Sequence, residues 1–155
     1  MKAYTNVNLV TCDSQFHVYR EGLLVVEDDR IAYCGPYDES WLEKCSETVD
    51  YEGTWIMPGL VNCHTHSAMT LLRGIRDDSN LHEWLEDYIW PAESQFTSDL
   101  TTEAVQLALA EMLLSGTTTF NDMYNPQGVE IDRIYQTVRQ SGMRCYFSPT
   151  LFSSE

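Results

Sequence analysis

The sequence has few basic residues. It contains 9 Lys and Arg against 24 Asp and Glu in 155 residues, which gives a formal net charge of −15. Binding to a nucleic-acid backbone or to an anionic membrane depends on clustered Lys and Arg, so the charge argues against both kinds of partner. We interpret the acidity as a solvated surface that keeps the protein soluble, as it would in a salty environment.

The sequence also lacks the cysteine spacing of a disulfide framework or a structural zinc site. Its cysteines are odd in number and include no Cys-x-x-Cys pair. They are Cys12, Cys34, Cys45, Cys63 and Cys145. We therefore expect free thiols in a reducing cytosol. No apolar segment follows Met1, and no apolar run reaches the length that spans a bilayer, so the sequence predicts a cytoplasmic protein.

A hydrophobic content of 43% and an aromatic content of 12% are enough for a packed core. The length fits one ordinary domain, or a small domain with part of a larger one. Residues 1–55 consist of short strand-like runs separated by turns, and residues 22–35 predict two strands joined by an acidic turn. We predict a small β unit here, with little core of its own.

The most informative stretch is 55–66, an apolar run that ends on two histidines. The apolar residues 55–61 predict one strand buried on both faces, as in a parallel sheet. Side chains two residues apart in a strand point to the same face, so His64 and His66 can present both imidazoles to one point. On the residues alone, a metal site and a chance pair of histidines stay about equally open.

After His66 the pattern changes to helices that alternate with strands. Apolar stripes predict helices around 81–88, 105–112 and 131–138, and Asn80 three residues before Glu83 predicts a helix cap. The dipeptide at 90–91 is Trp-Pro, which predicts the end of the first of these helices. Such alternation builds a parallel sheet with right-handed crossovers. Functional residues gather at the carboxyl ends of its strands, where His64, His66 and Asp122 are expected.

Several motifs in this order resemble the amidohydrolase superfamily. More narrowly, they are similar to the branch that contains 5-methylthioadenosine/S-adenosylhomocysteine deaminases and triazine chlorohydrolases. The motifs are PGLVNCHTH at 58–66, MTLLRG at 69–74, EWL at 83–85, WPAE at 90–93 and GTTTFNDMY at 116–124. The likeness covers nearly the whole chain, although residues before 55 agree in kind more than in motif.

The resemblance implies an α/β fold: a small β-sandwich segment at 1–55, followed at 56–155 by the first strands and helices of a metal-dependent (β/α)8 TIM barrel. It implies that His64 and His66 bind a divalent metal, expected to be zinc. Glu93 matches the position that holds ribose hydroxyls, and a solvated acid is the equally weighted alternative. For Asp122 we favour a structural hydrogen bond over catalysis. Trp90 is a candidate pocket wall.

The chain departs from the family in its length and ligand set. A closed barrel takes about 250 residues, and a catalytic zinc about three protein ligands. The resemblance places the remaining ligands and the proton-transferring carboxylates beyond residue 155, so no catalytic residue is expected within this chain and the barrel is incomplete.

The family activity that we favour is hydrolytic deamination of the adenine ring of 5-methylthioadenosine or S-adenosylhomocysteine, a nucleoside-type small molecule. Triazine chlorohydrolysis and guanine-type deamination are the alternatives within the family. The alternative of another class is a truncated, non-catalytic fragment, or a split half that needs a C-terminal partner. Unpaired sheet edges also favour association, including a homo-oligomer.

Overall fold

The computed structural model describes residues 1–124 and 129–149. The chain separates into two units, Met1–Pro58 and Gly59–Glu155. Within the described residues, no helix is both long enough and apolar enough to cross a membrane. All five cysteines lie in the described part and are free thiols, as the spacing predicted.

The first unit is a five-stranded sheet. Its strands are joined in the order β3-β2-β1-β4, and β5 also pairs with β1. The strand bounds are β1 Lys2–Val10, β2 Val18–Glu27, β3 Arg30–Gly35, β4 Glu47–Asp50 and β5 Trp55–Ile56, with a 3-10 helix at Glu39–Lys44. Strands β2 and β3 form an antiparallel hairpin around the acidic residues Asp28 and Asp29, as predicted.

The apolar side chains of this sheet form separate clusters, because neighbouring residues of β2 point in opposite directions and because the register of β1 with β2 shifts between Tyr4 and Val7. Two small buried clusters result. One contains Ala3, Leu23 and Val25, and the other contains Val7, Leu9 and Leu24. This division agrees with the prediction that the segment has little core.

The prediction of one buried strand over 55–61 is wrong. Trp55 and Ile56 pair in parallel with β1 of the first unit, whereas the next strand begins only at Leu60. Pro58 lies between the two strands, where its missing N–H cannot join a ladder. Leu60 and Val61 are 51% and 63% exposed, because β6 is the edge strand of its sheet and pairs with β7 alone among the described residues.

The second unit has a parallel sheet in the order β6-β7-β8. Its strands are β6 Leu60–Thr65, β7 Thr117–Tyr124 and β8 Arg144–Pro149. Its helices are a 3-10 helix Ser67–Leu72, α1 Leu81–Glu83, a π-helical turn Trp84–Ile89, α2 Trp90–Glu93, α3 Ser98–Leu114 and α4 Ile131–Ser141. The predicted alternation of strands and helices is confirmed, and β7 extends further than the run 117–120 indicated.

The core of this unit lies where α3 and α4 cover the sheet. Phe120 on β7 is fully buried at its centre. The other buried members are Val105, Leu109, Ile134, Val138 and Met143. Four of them, Val105, Leu109, Ile134 and Val138, belong to the predicted stripes of α3 and α4, so the 3.6-residue period located residues of both helices that face the core.

The helical segment 81–93 differs from its prediction. The cap is confirmed, since Asn80 Oδ1 accepts a hydrogen bond of 3.1 Å from the Glu83 N–H. The helix does not end before Pro91, however, but continues to Glu93. In the π-helical turn the Trp90 N–H donates to the Leu85 carbonyl, five residues back. A new α-turn then begins at Trp90, and Pro91 falls in its first turn, where an N–H is not required.

Candidate metal-binding site

The two histidines of the second unit lie together at the carboxyl end of β6. His64 is the penultimate residue of the strand, and His66 follows its last residue. Their ring centroids are 4.9 Å apart, and the ring planes are nearly perpendicular, at 86°. The structure therefore brings the two imidazoles side by side, as the spacing predicted. His64 is exposed and His66 is half-buried.

An irregularity in β6 helps to set this arrangement. Asn62 pairs with Phe120 and Thr65 pairs with Asp122, so three steps along β6 match two along β7. The extra residue makes a bulge around His64. Within it, the His64 N–H donates to Asn62 Oδ1 at 3.2 Å. Bulges of this kind turn side chains toward a site. Sequence reasoning missed this bulge, for which a polar Asn62 within an apolar run was the available signal.

The half-buried histidine has a defined hydrogen-bond partner. His66 Nδ1 lies 3.2 Å from the backbone carbonyl oxygen of Met123. Because a carbonyl oxygen can only accept, this bond places the proton on Nδ1 and leaves the lone pair of Nε2 free. A histidine that binds a metal through one ring nitrogen commonly donates from the other to a carbonyl or a carboxylate. The hydrogen bond to Met123 thus leaves Nε2 of His66 available to another group.

Asp122, on the neighbouring strand β7, is fully buried. Its Oδ1 accepts a 2.9 Å hydrogen bond from the Ser67 N–H, and its Oδ2 accepts a short hydrogen bond from Ser67 Oγ. Burial raises the pKa of Asp122, and the hydrogen bonds from Ser67 and the charge of His66 oppose that rise. Sequence reasoning missed Ser67, although it directly follows His66.

The other two candidate residues lie on α2. Glu93 is half-buried, and burial raises the pKa of its carboxyl, whereas the charge of His66 lowers it. Trp90 is exposed, at 45%.

The donor set fits part of a metal site. Two imidazoles supply nitrogen ligands of the kind that zinc takes. Among residues 1–124 and 129–149, no group of three or more His, Cys, Asp and Glu side chains could hold a metal ion. The chain thus presents a pair of imidazoles at the end of one strand.

The second unit is a mixed α/β structure, a parallel sheet whose strands are connected by helices, with a pair of histidines at the end of β6. Residues 55–154 match the sequence model of the amidohydrolase family. This match covers more than half of the chain, which therefore belongs to that family.

Relatives with assigned names are similar over nearly the whole chain. The 5-methylthioadenosine/S-adenosylhomocysteine deaminase of Bacillus cytotoxicus is 49% identical over 151 residues, which are 97% of this chain and 35% of that protein. The protein of the same name from Bacillus cereus strain 03BB102 is 48% identical over 150 residues, with 97% and 34% covered. The chain thus spans about a third of the length of these relatives.

Solved structures share the fold. Atrazine chlorohydrolase TrzN from Arthrobacter aurescens TC1, complexed with zinc, superimposes with a TM-score of 0.82 at 22% identity, over 96% of this chain and 35% of that chain. An adenosine deaminase from Xanthomonas campestris with bound zinc gives a TM-score of 0.74 at 30% identity, with 93% and 32% covered. Guanine deaminase from C. acetobutylicum gives a TM-score of 0.80 at 22% identity, with 94% and 35% covered.

Proposed function

We propose that this chain contributes the first metal ligands and part of the substrate pocket to a hydrolytic deaminase. The substrate we favour is the adenine ring of 5-methylthioadenosine or S-adenosylhomocysteine. The paired imidazoles of His64 and His66 carry this proposal, because they offer two ligands at one point. The identity of 49% to a deaminase of that name supports the choice of substrate.

His64 and His66 would hold a divalent metal, and zinc fits two imidazole nitrogens. When bound, such a metal activates water for hydrolysis near neutral pH. The contribution of this chain is orientation, because His66 is held through Nδ1 by the Met123 carbonyl. Zinc in two of the similar structures supports the choice of metal.

Glu93 would bind the ribose of the substrate. A carboxylate has two acceptor oxygens, which suit the two vicinal hydroxyls of a ribose. Its half-buried position and its electrostatic interaction with His66 favour a place in the pocket over a purely solvated role. Trp90, on the same helix, would form part of the wall.

We propose that the chain corresponds to the first strands and helices of a (β/α) barrel, whose other ligands and acid–base groups come from further polypeptide. The three parallel strands and the span of about a third of the relatives support this view. On this proposal, the 155-residue chain binds metal weakly by itself and does not turn over substrate.

Metal binding tests the ligand assignment directly. We expect zinc retained after dialysis to fall in His64→Ala and in His66→Ala, and to disappear in the double variant. His82→Ala is the matched control, because His82 is an exposed histidine on α1. If the double variant retains as much zinc as the control, the assignment is wrong.

Ammonia release tests the reaction. The chain should be inactive alone with zinc and S-adenosylhomocysteine, and active after addition of the C-terminal two thirds of a Bacillus relative. In that reconstituted enzyme, Glu93→Gln should raise KM for S-adenosylhomocysteine more than for free adenine, which lacks the ribose. Turnover of guanine or a chlorotriazine in preference to the nucleoside would contradict the substrate assignment.

A further inference from the structure

Two pairs of neighbouring residues are linked across the ends of β6 and β7. On one side are His66 and Ser67, and on the other are Asp122 and Met123. Ser67 donates twice to the Asp122 carboxylate, and His66 donates from Nδ1 to the Met123 carbonyl. The two links join consecutive residues that follow β6 to consecutive residues of β7, so they are covalently coupled on both sides.

The Asp122–Ser67 link is built as a buried interaction. Asp122 is 0% exposed and Ser67 is 1% exposed. A buried carboxylate is tolerated only when it is hydrogen-bonded, and here each oxygen accepts one bond from Ser67. Both carboxylate oxygens are thereby engaged, which distinguishes Asp122 from an exposed group available as a ligand.

The same link supplies the beginning of the next helix. Ser67 is the first residue of the 3-10 helix Ser67–Leu72, and its N–H is one that such a helix leaves without an internal partner. His66 occupies the cap position but makes no side-chain capping bond. Asp122, from the neighbouring strand, accepts that N–H instead. The backbone that follows His66 is therefore anchored to β7.

We propose that Asp122 is a positioning residue for His66, acting through Ser67 to hold the imidazole against the Met123 carbonyl with Nε2 directed to a metal. This inference rests on the proposed function, in which His66 is a metal ligand. The inference assigns a role to Asp122 on β7, which the sequence motif at 116–124 did not explain.

The experiment compares three variants of the full chain. Asp122→Ala removes both acceptors, and Ser67→Ala removes one bond while it keeps the backbone N–H. Asp122→Asn is the conservative rescue, since its amide can accept from the Ser67 N–H and donate to Ser67 Oγ. Ile134→Ala is the control for stability, because Ile134 is buried in the core of the same unit.

The first measurement is the tautomer of His66 in the metal-free chain, read from ring nitrogen chemical shifts at a pH where imidazole is neutral. We expect the Nδ1–H form in the wild type, in Asp122→Asn and in Ile134→Ala. We expect a mixture of tautomers in Asp122→Ala and a partial shift in Ser67→Ala. If the fraction of the Nδ1–H tautomer is the same in Asp122→Ala and in Ser67→Ala as in the wild type, the proposal is wrong.

The second measurement is zinc affinity, by competition with a chromophoric chelator. Loss of a residue that orients a metal-bound histidine weakens binding by about 10- to 100-fold, which we expect for Asp122→Ala and not for Asp122→Asn. Equal weakening in Ile134→Ala would overturn the proposal, because the effect would then follow stability. If the wild type binds zinc no better than the double histidine variant, the proposed function fails, while the tautomer measurement still decides the role of Asp122.

Discussion

Gly59 and Thr118 face each other so closely that a Cβ on Gly59 would lie 2.8 Å from Thr118 Cβ. Real Cβ atoms do not approach each other to that distance, so only glycine fits before β6. We expect Gly59→Ala to separate the start of β6 from β7 and to lower the free energy of unfolding by about 1–3 kcal/mol, the usual cost of overpacking. Urea denaturation of the two proteins measures this loss.

Substitutions of Thr118, the residue opposite Gly59, provide the control for this steric explanation. Thr118→Ala removes the hydroxyl and the methyl group but keeps Cβ, whereas Thr118→Gly removes the whole obstacle. The Gly59→Ala change should therefore be tolerated better beside Gly at 118 than beside Ala. Equal losses in both backgrounds would contradict the steric account.

Phe120 is the largest buried side chain of the second unit and lies between the sheet and its helices. Phe120→Ala should lower the free energy of unfolding by about 3–5 kcal/mol, because it leaves a cavity in the core. The matched control is Tyr146→Ala on β8, which is 71% exposed and should cost about 1 kcal/mol or less. Similar losses for the two variants would mean that the core lies elsewhere.

Asp13 and His17 form an exposed pair in the first unit, with Asp13 Oδ2 2.6 Å from His17 Nδ1. This hydrogen bond, together with backbone N–H donors, lowers the pKa of Asp13 from 3.8 to about 2. A carboxyl group whose pKa is lower in the folded than in the unfolded state stabilises the folded state at pH values above its unfolded pKa. This contribution is lost as the pH falls through the pKa of the folded state.

We therefore expect Asp13→Asn to melt at a lower temperature than the wild type at neutral pH. The difference should shrink below about pH 4 and approach zero as the pH falls through about 2, where the wild-type carboxylate is protonated. Thermal melts of both proteins across this range provide the comparison. A difference that persists below pH 2 would show that the ionised carboxylate is not responsible.

The side chain of Asn80 caps the helical segment 81–93. Asn80→Ala should lower the free energy of unfolding by about 1 kcal/mol, whereas Asn80→Ser should retain most of the cap. Hydrogen exchange of the Glu83 amide gives the local measurement, because that N–H donates to the cap. Unchanged protection of this amide in the alanine variant would contradict the role.

The features that follow a simple period were predictable from the sequence. Residues of the predicted stripes of α3 and α4 lie in the core, and the predicted proximity of His64 and His66 is confirmed. The Asn80 cap was predictable as well, because capping is a local interaction between a side chain and a backbone N–H three residues away.

Features that depend on a partner strand, or on a change of helix type, were not predictable. The run 55–61 is uniformly apolar, so nothing in its pattern separated Trp55 in the first sheet from Leu60 in the second. The bulge at His64 depends on the register with β7. Ser67 and Asp122 are 55 residues apart in the chain, and no local signal connects them.

The π-helical turn Trp84–Ile89 adds one residue to a helical turn. Because the wider turn holds the added residue, each later residue takes the position that the residue before it would have in an uninterrupted α-helix. This shift corresponds to about 100° around the helix axis. Ile89 is buried while Trp90 beside it is exposed, and Glu93 follows in the same rotated phase. If the same sequence formed a regular α-turn here, Glu93 would turn away from its half-buried position. The position of Glu93 therefore depends on the type of helical turn between Trp84 and Ile89.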